Sequence, residues 1–185
     1  MTRRQYLRRV AILCCHCLRN LAFYRAGWKE KKAIFRGPFW TNANGNFLDI
    51  CVLEWCKLFA DLRGKHYWRK AISQPDAFLQ ELLRVVGVGE AELNRHIQEM
   101  RTYRDKFLAH LDSDEVMQIP DLTLTLKSVS FLYDYLLENE GEPQFFADAT
   151  KPASAFYGRF LEEGKKVYES VSCQGFYSLS RVGPM

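Results

Sequence analysis

The chain has 185 residues, 48% of them hydrophobic and 14% aromatic. That length suits one domain with a self-sufficient core, and the composition excludes a disordered chain. A net charge of +4, from 26 Lys and Arg against 22 Asp and Glu, permits an acidic partner such as RNA without requiring one.

Leu7, Val10, Cys14, Cys17, Leu18 and Leu21 fall at helical spacing and predict a first helix from about Arg3 to Arg25, with Gly27 as its stop signal. Its basic start followed by Val10 to Leu18 imitates a leader peptide. The run is short, however, and no small-residue cleavage site precedes Arg19. The expectation is an ordinary amphipathic helix in a cytoplasmic protein. No segment approaches the roughly 18 apolar residues of a membrane span, so no membrane partner is expected.

Lys29 to Asn46, rich in lysine, glycine, proline and asparagine, reads as a long loop. Asn44 or Asn46 could cap a second helix to about Leu62. That helix is apolar on most sides, from Phe47 through Trp55 to Phe59, which predicts the centre of a bundle. Gly64 ends it. In the aromatic and basic segment His66 to Lys70, Arg69 and Lys70 suit an RNA-binding surface and equally a loop pinned to the bundle. Ser73 with Asp76 resembles a capping box opening a third helix through Phe78, Leu82 and Val86.

Gly87-Val88-Gly89 is a connector, lacking the strand and further glycines of a phosphate loop. A fourth helix follows from Glu90 to about Leu111. Asp121 caps a fifth, striped by Leu122, Leu126, Val129, Tyr133 and Leu136. A last helix is predicted from about Pro152 to Tyr168. The expected fold is an all-α, single-domain bundle of five or six helices over residues 1–169, with a C-terminal tail at 170–185.

Six cysteines show no paired framework. Cys14-Cys15-His16-Cys17 has the letters of a zinc site without its spacing: on a helix only Cys14 and Cys17 share a face, and Cys51 and Cys56 stand about 140° apart. Buried thiols in a reducing compartment are expected, with no metal and no cofactor.

The chemistry concentrates in Tyr103-Arg104-Asp105-Lys106-Phe107-Leu108-Ala109-His110-Leu111-Asp112. Arg104 interrupts an apolar stripe formed by Leu93, Ile97, Met100, Phe107 and Leu111. A guanidinium there must pair with a carboxylate (Glu54 or Asp49 are candidates) or face a phosphate, a cleft or a second chain. His110 lies six positions on, about 120° around an ideal helix. Histidine can move a proton to or from a ribose 2′-hydroxyl, and arginine can grip a phosphate, which together suffice for metal-free RNA cleavage. A two-fold dimer across this helix would bring two such pairs into one cleft. The plainer alternative is a helix-end histidine capping a carbonyl beside an ion-paired arginine. His96, eight residues before Arg104, is expected to face solvent.

The segment Arg104 to Asp112 resembles the signature of the HEPN superfamily: an arginine, four to six intervening residues and a histidine, with Asp105 in the polar position after the arginine. The Ala-His-Leu-Asp ending, with Trp55, Lys57, His66 and Trp68, is most similar to the abortive-infection branch. The resemblance implies a four-helix core, commonly dimeric, with the motif at the dimer cleft. Active members are metal-independent endoribonucleases of toxin–antitoxin, abortive-infection and CRISPR-linked systems, and many members are thought to be non-catalytic. Carried over, Arg104 would bind the scissile phosphate and His110 would act as general acid or base. Asp105, Tyr103 and Lys106 would support them. The implied partners are RNA, a second copy of the chain and an antitoxin.

Overall fold

The chain begins its first helix, α1 (Arg3–Ala26), at a reciprocal cap. Thr2 accepts from the Gln5 N–H at 3.2 Å while the Gln5 side chain accepts from the Thr2 N–H at 3.0 Å, satisfying two donors the helix would leave open. The computed structural model describes residues 1–109 and 119–178. After α1 a two-residue hairpin pairs β1 (Trp28–Lys29) with β2 (Lys32–Ala33). Its turn residues Glu30 and Lys31 have φ of 49° and 63°, the left-handed pair that a tight hairpin of this twist requires.

The remaining elements are helical: α2 (Pro38–Phe59), α3 (Trp68–Ala71), α4 (Pro75–Val86), α5 (Glu90–Tyr103) with a π-helical extension over Arg104–Ala109, α6 (Leu122–Asn139), a 3₁₀ turn at Pro143–Phe146, and α7 (Ala153–Ser178). The protein is therefore mostly helical, and no helix among the described residues is long and apolar enough to cross a membrane.

The core is built around α1, which packs against α2, α6 and α7, whereas α2 packs chiefly on α1 and α5. The expectation that the second helix is central does not hold. Its apolar character is split between a core face (Leu48, Cys51, Val52, Trp55, Phe59) and an outer face on which Ile50 and Leu53 stay exposed. α1 buries Leu7, Val10, Cys14, Cys17, Leu18 and Leu21 completely.

Three boundaries also differ. The predicted loop from Lys29 holds the hairpin and the first two turns of α2, because Pro38 occupies the N-terminal turn where its missing N–H costs nothing. Asn44 caps nothing. Its side chain accepts from Trp28 Nε1 at 2.9 Å and donates to the Tyr24 carbonyl at 3.0 Å, tying the hairpin down. α4 starts at Pro75, and Gln74 before it makes no side-chain cap. Ser73 instead donates its N–H and hydroxyl to the Glu140 carboxylate at 2.7 and 2.6 Å. Finally, α7 continues through Ser178, well into the stretch expected to be tail. Connections elsewhere follow their sequence signals. Gly87 ends α4 at φ 80°, and Asp121 caps α6 by accepting from the Thr123 N–H at 2.8 Å.

Candidate functional site

Two polar groups on α5 define the site and its contrast. The buried stripe of α5 runs through Leu93, His96, Met100 and Tyr103; it keeps Leu93 and Met100 of the expected stripe but takes His96 for Ile97 and Tyr103 for position 104, which leaves Arg104 at the edge of the core. At that edge the helix changes from α to π, a local rewinding that often accompanies functional positions.

Arg104 retains 20% side-chain exposure and is held by two carboxylates. Its Nη1 lies 2.6 Å from Asp61 Oδ1 and its Nε 2.8 Å from Asp105 Oδ1. Asp61 follows the end of α2, so this ion pair staples the motif to that helix end. Hydrogen bonds to Asp105 and Asp61 raise the Arg104 pKa further, against the opposing effect of partial burial, and the guanidinium stays charged at every working pH. Tyr103 is buried, and its hydroxyl donates to Asp49 Oδ1 at 3.0 Å. Burial and the Asp49 carboxylate push the phenol above its usual range, so it acts here as a donor. Burial likewise raises Asp49, with the Tyr103 hydrogen bond working against it. Lys106 is half-buried beside them.

The carboxylate anticipated for Arg104 was Glu54 or Asp49. Glu54 is taken by Lys57 at 3.1 Å and Asp49 by Tyr103, and Asp61 is the partner that the sequence reading missed. The available signal was the seven-residue step from Glu54 to Asp61, which returns to the same side of a helix. His110, the expected proton carrier, lies outside the described residues.

The aromatic and basic segment divides by burial. Trp68 is in the core, its ring tilted against Phe78 with centroids 4.8 Å apart. The Arg69 guanidinium sits 4.9 Å over the Trp68 ring and pairs with Asp76 at 3.0 Å, and Lys70 Nζ donates to the Arg63 and Gly64 carbonyls at 3.0 and 2.9 Å. Both basic residues are thus engaged in pinning the loop, while remaining at the surface. His66 is half-buried near Arg9, Lys57 and Lys65, and burial together with those cations lowers its pKa.

His96 does not face solvent. It is 3% exposed, with Nε2 3.0 Å from Thr125 Oγ1 and its ring edge-on to Trp55 at 5.0 Å. Trp55 Nε1 in turn donates to Ser128 Oγ at 2.9 Å, and Ser128 donates to the Thr125 carbonyl at 3.1 Å. This closed polar layer joins α2, α5 and α6 and presents nothing to a substrate. Four cysteines are also closed off: Cys14, Cys17, Cys51 and Cys56 are buried free thiols, with the Cys17 and Cys51 sulfurs 3.6 Å apart. Burial pushes the Cys56 thiol up to about 12 despite the nearby Arg104.

No protein-family model, curated protein or solved structure matches this chain.

Proposed function

We propose that this chain is a HEPN-like, metal-independent endoribonuclease of a defence or toxin type, acting as a homodimer on RNA in the cytoplasm. The observation that carries this reading is Arg104: a permanently charged group at the α-to-π switch, held in a defined pose by Asp61 and Asp105 yet still reached by water. A phosphate could take the place of the Asp61 carboxylate, exchanging one anion for another in the same fork. Further support comes from α2. Ile50 and Leu53 are exposed on its outer face, an apolar pair that a second copy of the chain could cover.

In the mechanism, a ribose 2′-hydroxyl attacks the adjacent phosphorus and the 5′-oxygen of the next nucleotide leaves, giving a 2′,3′-cyclic phosphate. His110 moves the proton, and Arg104 offsets the charge that builds on the phosphoryl oxygens. The fold would be the HEPN four-helix core with α1, α2, α5 and α6 as its members. A second reading, a non-catalytic HEPN-like module binding RNA or a protein, is favoured by the double carboxylate grip on Arg104, which an idle interface arginine would also show.

RNA cleavage by the purified protein in EDTA, wild type against His110→Ala, tests the proposal, with circular dichroism to match folding. Loss of the proton-transfer group is expected to slow cleavage by about 10²-fold or more. Equal cutting by both proteins would overturn the assignment of His110. No cutting by either, across structured and unstructured RNAs, favours the binding module.

A further inference from the structure

Asp61, the carboxylate that holds Arg104, opens a short turn whose basic side chains are not met by carboxylates. The Gly64 N–H donates to the Asp61 carbonyl at 2.7 Å, closing the turn directly behind the end of α2. Lys70 locks it from the other side, its Nζ donating to the Arg63 and Gly64 carbonyls at 3.0 and 2.9 Å. Arg3 of α1 donates to the Lys70 carbonyl at 3.5 Å, which seats the start of α1 against the far end of the same loop. The loop backbone is therefore fixed, and the side chains it carries are presented on a rigid support.

Arg63 and Lys65 lie on this loop, Arg9 of α1 stands near His66 on it, and all three cations are exposed. None of them has an ion pair among the described residues, whereas Arg3, Arg8, Arg69 and Arg104 are each paired with a carboxylate. Like charges gathered on one surface raise its potential and attract an anion. His66, half-buried beside them, feels that potential. Burial, then Arg9, Lys57 and Lys65, lower its pKa, with Glu54 opposing them.

The make-up of this surface selects the kind of anion. A membrane surface calls for several apolar side chains among the cations, and a protein partner for an aromatic or apolar anchor. From Lys57 to Lys70, Leu62 alone is a large exposed apolar side chain, and Trp68 is buried. What remains is positive charge on a fixed support, which suits the phosphate backbone of a nucleic acid. The position of the turn adds a direction, because Asp61 at its start lies 2.6 Å from Arg104. We propose that, on the RNA-cleaving reading of Arg104, the three cations Arg9, Arg63 and Lys65 form a phosphate track that leads an RNA strand to that arginine. Arg69 and Lys70, engaged within the loop and with Asp76, are not part of it.

The test is fluorescence anisotropy of a labelled oligouridine across a salt series, with the full chain carrying His110→Ala so that the RNA stays intact. Adding Arg9→Gln, Arg63→Gln and Lys65→Gln together is expected to weaken binding about tenfold or more. The slope of log affinity against log salt should become shallower by about 2, at roughly 0.7 per phosphate contact on a single strand. Lys29→Gln, Lys32→Gln and Arg36→Gln together are the control, removing the same charge from exposed positions around the hairpin. They should leave the slope unchanged, with circular dichroism matching the folds. Equal effects of the two triple variants, or indifference to the first, overturn the track. Absence of RNA binding at low salt overturns it outright, and binding of phosphatidylserine vesicles in its place, lost with the first triple variant, assigns the surface to a membrane. The track and the nuclease reading fail separately. RNA cleavage by wild type, with binding indifferent to the Arg9, Arg63 and Lys65 changes, overturns the track alone. RNA binding lost through those changes, with no cutting by wild type, upholds the track and overturns the nuclease.

Discussion

His96 and Arg104 stand eight residues apart on α5 and its extension, and the molecule treats them in opposite ways. His96 is sealed among Trp55, Thr125 and Ser128, with Nδ1 left without a hydrogen bond among the described residues and 3.8 Å from Glu99 Oε2. Arg104 sits at the surface end of the same stripe, with its charge met twice over. The first arrangement fixes how three helices meet. The second leaves a paired charge partly open to water. A polar residue in an apolar stripe therefore says only that something unusual happens there; closure by packing separates architecture from function.

The largest effect expected from testing that contrast is in the closed layer. Trp55→Ala should destabilise the protein by about 3–5 kcal/mol, through the cavity it leaves and the loss of the donor to Ser128 Oγ. Urea unfolding measures it, and a loss under 1 kcal/mol would mean the layer is not core.

Next comes Thr125→Val, which keeps the volume but removes the hydroxyl facing His96 Nε2. A loss of about 1–3 kcal/mol is expected by thermal denaturation. No loss would show that the histidine finds another partner.

The layer should also be sensitive to acid. Burial lowers the folded pKa of His96, so the unfolded chain takes up the proton first as pH falls. The neutral-histidine stability is fully present above about 6.5, the ordinary histidine value, and is lost as pH drops below it toward the folded pKa. His66 is shifted the same way and adds to the slope. In His96→Gln the slope of stability against pH should shrink in that window, measured by urea midpoints from pH 7.5 to 5. An unchanged slope would assign the whole dependence to other groups.

At the Arg104 end the stability effect should be smallest. Asp61→Asn removes a partly exposed ion pair and should cost no more than about 1 kcal/mol. The same change frees one arm of the arginine, so on the proposed RNA-cleaving reading RNA affinity measured by fluorescence anisotropy should rise. If affinity falls while stability holds, Asp61 contributes to binding and does not merely occupy the arginine.

Much of the helix pattern was legible in the sequence. α1, the Gly87 stop and the Asp121 cap came from local signals: period, a residue needing positive φ, and a side chain able to accept an N–H. The hairpin was not legible, because Lys29-Glu30-Lys31-Lys32 lacks the Asn-Gly or Asp-Gly pair that announces its turn. Nor was the start of α2, where Trp40 packs against Tyr168 of α7, a contact more than a hundred residues away in sequence. Ser73 looked like a cap and became a ligand of Glu140 for the same reason.

The sequence by itself determined that the protein is helical, where most helices lie, and that Arg104 is anomalous, since periodicity and the cost of a buried charge act locally. Only the tertiary structure decided that α1 is the central helix, that Asp61 holds Arg104, that His96 is sealed in, and that Arg9 stands beside the loop of Arg63 and Lys65. Each of these depends on which faces of distant helices meet, and side-chain packing fixes that only when the whole chain is folded.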